Sequence, residues 1–318
     1  RVLMCVSFDR SGPGMITFAA ALVDRASARD RLFALRLVPP TDRGSFYIGT
    51  EREPSGGAAA ALVPLLRKAE ELNVAVKPLS FVSAEPAHDI CNVADVKQAD
   101  LVLLGWHKPL LSQTVLGGTV YEVMKQARSD VAVLVDRGLD RIKRILVPFY
   151  GGRHDLAAIG LARRLVQWAG ADATILHVVS PRRAASEAPL GMKESVEQVF
   201  TEGPERDQHV TLKVVQHDSP ALAALEESTK GYDLLLVGVG PEWGLEERQF
   251  GLQPEYFIKE CPTSLVVVRH YDAADEAAAT ASPAASGKRD AASNPAPASP
   301  KGEPEPALPV AAHGRTKR

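Results

Sequence analysis

Short apolar runs alternate with helical periodicities along the first half of the chain. Val2 to Ser7, Arg31 to Leu37, Val74 to Val82, Leu101 to Gly105 and Val131 to Val135 are brief, apolar and bounded by turn residues, which predicts strands. Between them Met15 to Asp24, Ala58 to Leu72, Ala87 to Gln98 and Val120 to Ala127 carry apolar residues at three- and four-residue spacing, which predicts helices. A strand followed by a helix and another strand, repeated, builds right-handed crossovers and a parallel sheet.

The second half repeats the plan. Ile145 to Phe149, Thr174 to Val179, Val210 to Gln216, Leu234 to Val237 and Leu265 to Val268 read as strands, with helices near Asp155 to Trp168, Lys193 to Phe200, Ala221 to Ser228 and Glu255 to Glu260. The run Ala99-Asp100-Leu101-Val102-Leu103-Leu104-Gly105 matches Tyr232-Asp233-Leu234-Leu235-Leu236-Val237-Gly238, and the glycine pairs Gly105/Gly118 and Gly238/Gly251 share one spacing. Duplication accounts for both matches. The expected architecture is α/β: two tandem open five-stranded parallel-sheet domains with helices on both faces, covering residues 1–137 and 138–271. Asp136 to Lys143 reads as a short charged linker. Residues 272–318 are rich in Ala, Pro, Ser, Lys and Glu, too poor in large apolar groups to offset the entropy of ordering, and read as a disordered tail.

Composition narrows the function. With 37 basic against 39 acidic side chains, no general field draws the chain to nucleic acid or anionic lipid. Cys5, Cys91 and Cys261 lack the close spacing of a zinc site or a disulfide framework and read as reduced, buried thiols of a cytoplasmic protein. No apolar run reaches the roughly 20 residues that span a bilayer. The chain opens on a strand with neither Met nor signal peptide, which reads as a piece cut from something longer.

The segment that could carry chemistry is Gly105-Trp106-His107-Lys108 followed, after eight residues, by Gly117-Gly118-Thr119 and a helix. A glycine ending a buried strand lets backbone approach a ligand, and free N–H groups at a helix start suit a phosphate. Lys108 adds charge, and open parallel sheets take ligands beyond the carboxyl ends of their strands. Strand-end glycines and Gly-Thr caps are also ordinary turn chemistry, so both readings stand on residues alone. Trp106 and Trp243 could stack on a base or pack a loop. His88-Asp89 reads as a cap and solvated face, and the remaining histidines show no paired ligand spacing, so no metal is expected. No nucleophile elbow, Walker loop or Ser-His-Asp order appears, which argues against an enzyme.

With the Asp100-to-Gly105 run and the last strand Asp130-Val131-Ala132-Val133-Leu134-Val135, this segment resembles the nucleotide loop of universal stress proteins. That resemblance implies a Rossmann-like fold and binding of ATP or AMP at Ser7, Val38 after the second strand, Gly105, His107, Lys108, Gly117, Gly118 and Thr119. Two positions depart from the pattern: Lys108 replaces a glycine, and Ser7 stands where nucleotide binders usually place an aspartate. The second copy departs further, with Tyr150 at the first-strand position, Pro241 and Leu252 in the loop, and Glu242, Glu246 and Glu247 where phosphates would lie. It reads as a structural or partner-facing copy.

His88-Asp89-Ile90-Cys91-Asn92, Gly105 to Pro109, Val147 to Asp155 and Val237 to Pro241 are similar to the cytoplasmic C-terminal region of bacterial monovalent cation/proton antiporters and, more distantly, plant cation/proton exchangers. The resemblance covers about residues 1 to 271. It implies a regulatory domain whose partner is a membrane transport domain of the same polypeptide, a pseudo-dimer formed through the two fifth strands, and a homodimeric parent protein. The alternative reading is a free tandem universal stress protein.

Overall fold

The computed structural model of the chain describes residues 1–24, 28, 30–40, 55–106, 118–149, 152–179, 209–239 and 258–273. Ten strands form one sheet: β1 (Val2–Cys5), β2 (Leu32–Val38), β3 (Lys77–Val82), β4 (Leu101–Gly105), β5 (Asp130–Val135), β6 (Arg144–Phe149), β7 (Asp172–Val179), β8 (Val210–Gln216), β9 (Leu234–Gly238) and β10 (Ser264–Arg269). Their order is β3-β2-β1-β4-β5-β10-β9-β6-β7-β8. Each half thus has the order 3-2-1-4-5 and is parallel throughout, with Val2 opposite Leu32 and Leu101 and, in the second half, Ile145 opposite Ala173 and Leu234.

The halves meet as expected through their fifth strands. β5 and β10 run antiparallel, with Leu265 opposite Val135 and Arg269 opposite Val131. Residues 1–273 form a single compact unit, so the duplicated pattern of the sequence builds one continuous slab.

Strand chemistry follows position in this order. The central strands β1, β4 and β9 are buried along their whole length, as apolar runs covered on both faces must be. The edge strands β3 and β8 alternate less cleanly and leave Val82 and Val214 exposed.

Among the described residues six α-helices cover the slab: α1 (Gly12–Ala21), α2 (Ser55–Glu71), α3 (Pro86–Lys97), α4 (Gly118–Gln126), α5 (Arg153–Ala169) and α6 (Pro220–Ser228). On one face Phe18 of α1, Leu62, Leu65 and Ala69 of α2 and Ile159, Ala162 and Leu165 of α5 share a core. On the other, Ile90 of α3, Val123 of α4 and Ala224 of α6 share a second. Both cores run through both repeats. The predicted strands match within a few residues. The helix expected at Lys193 to Phe200 and most of that at Glu255 to Glu260 lie outside the described residues, as does the tail beyond residue 273.

The short charged linker is anchored by apolar residues. Leu139 and Ile142 are buried in the first core, and Asp136 Oδ1 accepts the N–H groups of Gly138 and Leu139 at 2.8 Å each. Two apolar anchors among the charges hold the crossover down.

Candidate functional site

In repeat 1 the switch point lies between β1 and β4, because the chain leaves β1 toward β2 on one side and β4 toward β5 on the other. Ligands of open α/β sheets bind beyond the carboxyl ends of the strands at such a crevice. Ser7 lies exposed two residues beyond β1, half-buried Val38 is the last residue of β2, and buried Gly105 ends β4. These three therefore share one rim. Val38 sits inside its strand, not after it, because the ladder to β3 extends to the pair Val38–Val82.

Gly118 and Thr119 open α4, both exposed. That helix leads from β4 to the parallel neighbour β5, so its amino end stands on the same carboxyl rim, with its N–H groups directed outward. A Cβ at Gly118 would meet nothing within 4 Å, so backbone here is open to approach. His107, Lys108 and Gly117 lie outside the described residues.

One cation on this rim was not singled out by sequence reasoning. Arg36 of β2 reaches across the end of β1, where its Nη1 donates to Val6 O at 3.2 Å and to Ser7 O. Its Nε is buried without a hydrogen-bond partner. In sequence, an arginine within a strand reads as a solvated side chain; only the pairing of β1 with β2 brings it to the crevice.

Trp106 extends the ladder, its N–H donating to Leu134 O at 2.8 Å, and it packs against the second core. His88 is exposed on the first turn of α3, in keeping with a solvated face. Among the described residues no three metal-binding side chains converge. Cys5 and Cys261 are buried and Cys91 half-buried, and burial pushes all three thiols up.

In repeat 2 the end of β9 is tightly packed. A Cβ at Gly238, the end of β9, would lie 2.3 Å from Asp155 N and 2.4 Å from His154 O. The first turn of α5 is thus pressed directly onto the strand end, and no group fits between them. His154, far from His270 in sequence, accepts the His270 N–H on Nδ1 at 2.7 Å, and His270 Nδ1 lies 2.8 Å from Asp130 Oδ1 across the seam. Sequence spacing gave no sign of this cluster, since the sheet order alone brings its members together. The acidic loop residues of this repeat and Tyr150 lie outside the described residues.

The sequence pattern of the universal stress protein family matches residues 1–135 and again residues 141–269. The chain belongs to the universal stress protein family. Its fold is similar to that of a universal stress protein from Archaeoglobus fulgidus DSM 4304, with a TM-score of 0.57 at 15% identity over 83% of this chain and 97% of that one. It is similar also to the cytoplasmic domain of a prokaryotic cation chloride cotransporter, with a TM-score of 0.50 at 10% identity over 84% of this chain and 94% of that domain. Among curated relatives, this tandem universal stress protein is 25% identical to cation/H(+) antiporter 15 of Arabidopsis thaliana, over 76% of this chain and 35% of the antiporter. The chain thus spans about a third of the length of that relative. Among the described residues no helix is long and apolar enough to cross a membrane.

Proposed function

We propose that this tandem pair is the regulatory module of a monovalent cation (Na+ or K+)/proton antiporter, held at the cytoplasmic face of the inner membrane and binding an adenine nucleotide, ATP or AMP, in repeat 1. The observation that carries the antiporter assignment is the match to cation/H(+) antiporters across most of this chain but a third of theirs, which leaves room in such a protein for a transport domain. The shared rim of Ser7, Val38, Gly105, Gly118 and Thr119 supports the nucleotide. A phosphate there meets helix N–H groups and the Thr119 hydroxyl.

In this reading the work of the pair is linkage: a ligand acts on transport only through a difference in affinity between two states of the whole protein. The two repeats share a sheet and both cores, which makes a shift between this rigid slab and the transport domain the natural form of that change. The parent protein would pair as a homodimer.

Two measurements test this. Calorimetry of the chain with ATP and AMP should give binding that Gly118→Val abolishes. A Cβ at Gly118 meets nothing within 4 Å, and with a melting temperature like that of wild type the variant's loss of binding reports a blocked ligand; no binding to wild type removes the nucleotide. Cation/proton exchange in everted vesicles carrying the full reading frame should change with nucleotide and lose that response in the same variant. The near-complete coverage of the Archaeoglobus protein favours a second reading, a free-standing stress protein. A full reading frame without transport activity would decide for it.

A further inference from the structure

Arg36 and His177 occupy corresponding places. Each lies on the second strand of its repeat beside the end of the first, and each turns a nitrogen onto a first-strand carbonyl. In repeat 2, His177 Nδ1 lies 3.1 Å from Phe149 O. In repeat 1, Arg36 Nη1 serves Val6 O and Ser7 O. An imidazole turned onto one carbonyl has one other ring nitrogen to offer, whereas a guanidinium has five donors and a permanent charge. The buried Nε–H of Arg36 remains unpartnered, and an unsatisfied buried donor carries a full desolvation cost. Ser7 provides no carboxylate to balance the charge.

The rim that carries the arginine also carries the amino end of α4, where a Cβ at Gly118 would meet nothing within 4 Å. Strand spacing places the end of β1, over which the guanidinium lies, about 5 Å from the end of β4. The α1 face contributes the cation and the α4 face the helix terminus, one on each side of the crevice.

We propose that Arg36 is a ligand-binding residue of the repeat 1 site and takes an anionic oxygen of the ligand's phosphate. The proposal rests on the nucleotide reading above. It makes the site selective for phosphorylated ligands: affinity depends on the charge carried by the phosphate, and the nucleoside alone binds more weakly.

Repeat 2 supplies the test variant, since Arg36→His installs the residue that already makes the strand-end contact there. At pH 8 that imidazole is neutral. Calorimetry with AMP, ATP and adenosine would compare wild type with Arg36→His and Arg36→Gln, each checked for an unchanged melting temperature. Loss of a charged hydrogen bond predicts about 10- to 100-fold weaker AMP and ATP binding in both variants, with adenosine affinity unchanged. Variants that bind AMP like wild type, or that lose AMP and adenosine equally, overturn the role of Arg36 while leaving the nucleotide site in place. A wild-type chain that binds none of the three overturns the nucleotide reading itself.

Discussion

Replacing Glu227 by glutamine should destabilise the protein at neutral pH and do so less in acid. Glu227 lies in the last turn of α6 with its side chain 6% exposed, and it accepts hydrogen bonds from Lys213 Nζ at 2.7 and 2.8 Å, Lys230 Nζ at 2.8 Å and Tyr232 Oη at 3.1 Å. Lys213 belongs to the edge strand β8, so this carboxylate ties that edge to its helix. A buried charged hydrogen bond contributes about 1.5–3 kcal/mol. The lysines, however, are 37% and 58% exposed and can return to water, which pulls their share toward the surface-pair value of about 0.5 kcal/mol. A loss of about 2 kcal/mol follows. With an m-value near 3 kcal/mol/M, the urea midpoint falls by about 0.7 M.

Acid supplies the second signature. Burial works against ionisation of Glu227, but the hydrogen bonds from Lys213, Lys230 and Tyr232 outweigh it and hold the carboxyl below its ordinary value. The unfolded chain therefore takes up its proton first as pH falls. The stabilisation is complete above the unfolded value of about 4.3 and is lost as pH drops through the folded value. In urea titrations the gap between wild type and Glu227→Gln should be smaller at pH 3 than at pH 7. A midpoint at pH 7 within about 0.1 M of wild type, or an equal deficit at both pH values, would refute the reasoning.

Gly238→Ala should cost about 2 kcal/mol or more in chemical denaturation, because its Cβ meets the backbone of α5 at 2.3 Å. Gly160→Ala, within the same helix and with open space around it, should instead gain up to about 1 kcal/mol. Arg269→Ala removes donors to Ala127 O and Ser129 O across the seam and should lower stability by about 1–2 kcal/mol. Far-UV circular dichroism and tryptophan fluorescence should still report one coincident transition, and two separate transitions would show that the repeats fold apart.

Elements were the legible part of this sequence, because a strand buried on both faces needs an unbroken apolar run and a covering helix needs its stripe. Leu101 to Gly105 and Leu234 to Gly238 could hardly be anything else. The pairing of the fifth strands came from the family resemblance and not from the residues themselves, and β5 and β10 do pair. Side chains whose meaning depends on a neighbour two strands away were not legible: Glu226 and Glu227 look alike in sequence, yet one is exposed and the other buried under two lysines. Arg36 and the His154–His270 contact belong to the same class, since strand order, not spacing, creates them. Of the candidate site, Ser7, Val38, Gly105, Gly118 and Thr119 fall on one rim because the switch point dictates it.

The reversal of strand direction between β5 and β10 turns the two crevice-forming rims to opposite sides of the slab. Backbone beside Ser7 and backbone beside Gly238 therefore lie at opposite edges of the sheet and share no contact surface, so a substitution at one edge leaves the other untouched.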